Sequence, residues 1–198
     1  MTSMEVLSAL ALYSMVMTLT PGPNNLLLLS SGLSFGLSRT GRHMAGILSG
    51  VMLQICLVGA GLGALFARFP ELQTVLKVAG TIYMLWLAHR LWSASAIRSV
   101  ESARPIGFFE AMTFQFVNPK TWVMATTVIA AFVPAGDDYA GRVVVAGLVF
   151  TVAALPGISI WAASGAWLRS LVHDAVSRQR LNRVMATLSA LTAILFWV

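Results

Sequence analysis

Two short runs combine helix-breaking residues with side chains that can hold a polar solute: Thr20-Pro21-Gly22-Pro23-Asn24-Asn25 and Asn118-Pro119-Lys120. In the first, the prolines remove two backbone donors and clash with preceding carbonyls. Gly22 admits turn geometries, so a helix is expected to open there. Thr18, Thr20, Asn24 and Asn25 can then satisfy the freed groups or coordinate a solute or ion. A kink stabilised by neighbouring helices is the simpler alternative, but it explains the prolines better than the Asn pair. The second run repeats this physics and adds a charge. Counted from Phe108 at about 1.5 Å per residue, Lys120 lies on the order of 18 Å along its helix, too deep for a flanking anchor. A buried ammonium needs an anion, a carbonyl cluster or water; the alternative is a lysine snorkelling from a displaced helix. Gln115, with Thr113 nearby, can face the same cavity, and Gln54 either lines a path or ties two helices together.

Other polar residues carry weaker signals. Arg39, His43 and His89 flank apolar segments, where interfacial anchoring is preferred to catalysis; Arg39 and His43 are also gate candidates. Glu110 can partner Arg104 or Lys120 at a gate, and Pro156-Gly157 suggests a kink or hinge within a long apolar run. Lys77 is expected to snorkel. Cys56 is alone, which excludes an intramolecular disulfide or a CxxC site, and reads as a small buried hydrophobe. No HExxH, GxSxG or phosphate-binding loop is present, so a hydrolase is not expected, nor is any metal or cofactor.

The elements that must position these residues are membrane helices. Of 198 residues 58% are hydrophobic and only 10% charged, with a mean hydropathy of +0.81, so the chain cannot furnish a polar exterior. Val6 to Ser38 carries no charge, exceeding the roughly 20 residues needed to cross a bilayer, and lacks the basic start of a removable signal peptide. Further spans are expected within Met44 to Ala67, from about Leu72 to Leu91, Phe108 to Val133, Val143 to Leu168, and Leu181 onward. Continuous apolar runs exclude an alternating barrel. The small residues Gly46, Gly50, Gly59, Gly61, Gly63, Gly157, Ala162, Ala163 and Gly165 suit close helix packing, with a GxxxG pattern at Gly46 and Gly50.

The expectation is therefore an all-α integral membrane protein with six transmembrane helices in a single domain, 1–198. It divides into repeat 1 (about 1–92), a cytoplasmic connector (about 93–107) and repeat 2 (about 108–198). An odd number of helices per repeat makes the two halves inverted, with helices 1 and 4 interrupted. Basic residues concentrate on one side: Arg39 and Arg42; Arg90, Arg98 and Arg104; Arg169, Arg178, Arg180 and Arg183. Positive-inside bias makes that side cytoplasmic and both termini periplasmic. The net charge of +6 fits anionic lipid as a partner and gives no reason to expect nucleic acid.

Thr20-Pro21-Gly22-Pro23-Asn24-Asn25, followed by Gly36-Leu37-Ser38-Arg39 and His43-Met44-Ala45-Gly46, resembles the LysE/RhtB superfamily of bacterial amino-acid exporters. Asn118-Pro119-Lys120 resembles its second-half motif, and Gly80-Thr81-Ile82-Tyr83-Met84-Leu85-Trp86-Leu87-Ala88 its third-helix pattern. Leu26 to Ser31 and Phe114 to Asn118 are most similar to the cysteine and O-acetylserine exporter branch. The resemblance implies inner-membrane efflux of small amino acids or derivatives by proton exchange, and a homodimer. On that expectation a substrate carboxylate meets Lys120 or freed backbone donors, while Asn24, Asn25 and Asn118 add polar contacts. Transport of another small metabolite or ion, or a non-transporting membrane scaffold, are the alternatives.

Overall fold

In the computed structural model, residues 4–93, 104–171, 175–194 and 197 are described. The chain forms α1 (Met4–Leu19), α2 (Pro23–Phe35), α3 (Leu37–Leu57), a π-helical turn (Val58–Leu62) and α4 (Gly63–Arg68). There follow α5 (Pro70–Ser93), α6 (Phe108–Val117), α7 (Pro119–Phe132), α8 (Tyr139–Leu171) and α9 (Ala175–Ile194). Among the described residues there is no strand.

Proline places the two internal breaks. α2 and α7 both begin with proline, whose ring presets a helical φ and whose missing donor costs nothing at a first position. The residue before each proline is pushed out of the helical region: Gly22 is fully extended (φ −177°, ψ 176°) and Asn118 extended (φ −93°, ψ 106°). Gly36, at φ 82°, makes the one-residue turn between α2 and α3, a conformation that a side chain would strain.

By length and composition, two helices can each cross a bilayer: Leu37–Leu62 and Tyr139–Leu171. The α1–α2 pair, bent by 61°, is a third candidate if counted as one broken span. The other expected spans fall short for identifiable reasons. α5 carries Glu71, Lys77, His89 and Arg90; α6 and α7 are 10 and 14 residues long; the first turns of α9 hold Arg178, Gln179, Arg180, Asn182 and Arg183. Arg98 and most of the expected connector lie outside the described residues, as does the end of the last expected span. Pro156 does not break α8, which runs through it with Pro156 exposed on the outer surface.

Close packing explains the small residues. A Cβ on Gly32 would overlap the Ala162 backbone of α8, and one on Gly165 would overlap the Leu29 backbone of α2. Gly46 and Gly50 do the same for α3 against the carbonyls of Phe108 and Met112 on α6. Thus α8 lies along α1 and α2, α3 lies along α6, and α5 pairs with α9. The main core joins Leu28, Ile47, Val51, Ile55, Val128, Phe150 and Ile158. A second cluster, including Leu27, Met84, Phe114 and Met185, ties α5 and α9 to α2 and α6. Large apolar side chains such as Leu12, Val16, Ile82, Val152 and Ile160 face outward, as a hydrocarbon solvent requires.

Candidate translocation site at two broken helices

A helix ends with carbonyls that have no partner in the next turn, and inside an apolar bundle each must find one. At the end of α1 the partners are brought by Asn25, by Lys120 and, for the Leu19 carbonyl, by the Trp161 indole N–H of α8 (3.3 Å). The Asn25 amide donates to the carbonyls of Thr18 (2.8 Å) and Thr20 (2.7 Å). Lys120 Nζ donates to the Thr20 carbonyl (2.9 Å), the Thr20 hydroxyl (2.8 Å) and the Pro21 carbonyl (3.3 Å), which uses all three ammonium protons. A cation there also complements the negative end of the α1 dipole. Of the partners weighed from sequence, the carbonyl cluster is the one present. Gly22 is small because the lysine stem passes over it: a Cβ would stand 3.0 Å from Cδ and 3.1 Å from Nζ.

The end of α6 is closed differently. The Gln115 carbonyl accepts from Gln54 Nε2 (2.9 Å) and from the Thr121 hydroxyl (2.8 Å), which also donates to the Asn118 carbonyl (2.8 Å). Asn118 caps α7 by accepting from the Lys120 backbone N–H (3.1 Å). The Gln115 side chain forms a reciprocal amide pair with Asn24, at 2.7 and 3.1 Å, and also donates to the Ala111 carbonyl (2.7 Å). Lys120 from the second break therefore secures the first, and Asn24 from the first reaches the helix leading into the second.

Thr18, Gly22, Pro23, Asn24, Asn25, Asn118, Lys120 and Thr121 line a cavity between these breaks, backed by Ile47, Val51, Phe150 and Ile158. Its volume is about 30 Å³, room for water but not for an amino acid. Thr20, Pro21, Gln115 and Pro119 belong to the same hydrogen-bonded cluster or its helix break, and Gln54 joins it as a tie between α3 and α6. Gln54 Oε1 is buried with no hydrogen-bond partner among the described residues.

The gate candidates Arg39, His43, Glu110 and Pro156 do not line this cavity, whereas Gly157 adjoins it through Thr18. Glu110 meets Arg104 at 3.6 Å, not Lys120. Arg39 stacks over Phe35. His43 is 1% exposed, so interfacial anchoring is corrected: it lies on the buried face of α3 with Thr40 and Ile47. Gly157 packs against Thr18, where it allows α1 and α8 to approach closely. Thr121 was not anticipated from the sequence. Its signal was its place two residues after Pro119, matching Asn25 two residues after Pro23.

Helices interrupted within an apolar bundle, with freed backbone groups beside a small cavity, fit a membrane transporter. The chain belongs to the LysE type translocator family, whose profile matches residues 15–198. Among its relatives, the cysteine/O-acetylserine efflux protein of Klebsiella pneumoniae is 31% identical over 190 residues, covering 96% of this chain and 95% of that protein. The protein of the same description from Escherichia coli is also 31% identical, covering 96% of both chains. No solved structure matches. The protein is thus a translocator and not an enzyme.

Proposed function

We propose that this translocator exports small amino acids or their derivatives from the cytoplasm, with cysteine and O-acetylserine as its substrates and proton exchange as its driving force. The carrying observation is the Lys120 ammonium, bound at 2.8–3.3 Å, among the described residues, to neutral oxygens of the opposite helix break. A substrate carboxylate offers the same ammonium a full counter-charge and can displace those carbonyls. The freed Thr20 and Pro21 oxygens then receive the substrate ammonium. The efflux names of the relatives support the substrate class.

The scaffold for this exchange is six spans in two inverted repeats, in an inner membrane with both termini periplasmic. α1–α2, α3–α4 with its π turn, and α5 form one repeat; α6–α7, α8 and α9 form the other. The reading is supported by corresponding contacts: α3 packs on the broken helix of the second half and α8 on that of the first. Rocking of the repeats opens the cavity first to the basic face and then to the opposite face.

The test is efflux from proteoliposomes loaded with labelled cysteine, O-acetylserine, threonine, leucine or lysine, with and without a proton gradient. Gradient-dependent release of cysteine and O-acetylserine is expected. Release of a different solute would reassign the substrate, and no release from correctly inserted protein would leave the scaffold reading.

A further inference from the structure

A second polar feature lies apart from the helix breaks. Ser38, Arg39, Arg42, Arg104 and the segment Pro105–Gly107 enclose a cleft of about 460 Å³, large enough for a hydrated phosphate group. Three guanidiniums line it, and the only carboxylate paired with any of them among the described residues is Glu110, 3.6 Å from Arg104. Arg39 is oriented by its stacking over Phe35, 5.8 Å from the ring centroid.

The backbone adds to this charge. α3 and α6 both start at the cleft, and the capping residues Gly36 and Gly107 supply no side-chain acceptor. Their first-turn N–H groups and positive dipole ends favour an anion beside the arginines. A guanidinium fork matches phosphate oxygens in two-point geometry, which a lysine patch does not. Two large apolar side chains in the same first turns, Leu37 at 47% and Phe109 at 73% exposure, are turned outward. Polar cleft and apolar flank together have the layout of a lipid phosphate and its chains at the end of a membrane helix.

We infer that the Arg39–Arg42–Arg104 cleft is a binding site for a phosphate oxyanion, supplied by the headgroup of an anionic phospholipid. The site spans both halves of the molecule, because Arg39 and Arg42 belong to α3 and Arg104 leads into α6. It does not depend on the identity of the transported solute.

The test compares purified protein in neutral detergent with R39Q/R42Q and with the charge-matched control R68Q/R180Q, whose exposed arginines lie outside the cleft. Each is titrated with short-chain phosphatidylglycerol, short-chain phosphatidylcholine or inorganic phosphate while thermal unfolding is followed. Phosphatidylglycerol is expected to raise the Tm of the parent and the control by about 3 °C. R39Q/R42Q, folded by circular dichroism, should lose that shift, and phosphatidylcholine should cause none. A cleft-dependent shift with phosphatidylglycerol alone supports the lipid source. An equal cleft-dependent shift with inorganic phosphate retains the oxyanion site but overturns the lipid source. Loss of the shift in both double variants, or no shift in the parent, overturns the site.

Discussion

The two helix breaks solve one problem with unequal means. Between α6 and α7 a single residue, Asn118, leaves the helix, and most of the exposed groups are closed locally by Thr121 and Asn118, with Gln54 assisting from α3. Between α1 and α2 three residues leave the helix, Thr20, Pro21 and Gly22, and a second proline, Pro23, opens α2. There Asn25 is the local side-chain amide partner, and the rest of the closure comes from the other half of the molecule, from Lys120 and, at the Leu19 carbonyl, from the Trp161 indole N–H of α8. A break closed within its own segment persists when neighbours move. One closed by a charge from the opposite half opens when that half moves or when the charge finds a better partner. The asymmetry makes the first break the more responsive of the two.

The largest test of this comparison concerns the helices behind each break. Leucine at Gly165 would collide with the Leu29 and Leu33 backbone of α2, whereas leucine at Gly50 meets the Met112 carbonyl and the more yielding Gln115 side chain. G165L should therefore remove most folded protein, at a cost of about 3 kcal/mol or more, and G50L about half as much, read from monodisperse yield and thermal unfolding. Equal losses would mean that the two breaks rest on equally rigid supports.

Lys120→Met removes the charged part of the cross-molecular closure of the first break, at the Thr20 and Pro21 oxygens, while keeping most of the stem over Gly22. Efflux should fall by at least about tenfold, equivalent to one strong transition-state contact of about 1.4 kcal/mol, with membrane abundance retained. Unchanged efflux would break both the asymmetry and the proposed carboxylate contact.

Smaller effects separate the local caps. N25A strands the Thr18 carbonyl and leaves the Thr20 carbonyl to Lys120 alone, so it should cost about 2 kcal/mol; T121A, whose Gln115 carbonyl keeps Gln54, should cost about 1 kcal/mol. Denaturant or thermal unfolding in the same detergent measures the difference, and a larger loss in T121A would reverse the ranking. Smallest of all, P156A should change stability by less than about 1 kcal/mol and leave efflux intact, because α8 already runs unbroken through that position. A marked loss of efflux would add α8 to the moving parts.

Much of this was legible in the residues. Proline and glycine act on their own backbone and that of the residue before, so both breaks could be placed from Pro21, Pro23 and Pro119 without knowing any neighbour. The small residues of α3 and α8 similarly announced close contacts, although not which helices they contact. Span counting was less transferable: α5 and α9 mix apolar faces with Lys77, His89, Arg180 and Arg183, and no composition rule states how such a helix sits once packed. His43 looked interfacial because of its basic neighbours in sequence, yet one turn of helix carries it to the buried face of α3.

By itself the sequence determined an apolar helical chain, the two points at which helices must break and the presence of one cation close to a break, because these follow from local backbone chemistry and composition. Only the tertiary structure decided that this cation reaches carbonyls a hundred residues earlier in the chain, that Asn24 pairs with Gln115, and that Gln54 ties α3 to α6. Hydrogen-bond partners at such separations are set by which glycine-lined faces pack together, and that is a property of the assembled helices rather than of any segment.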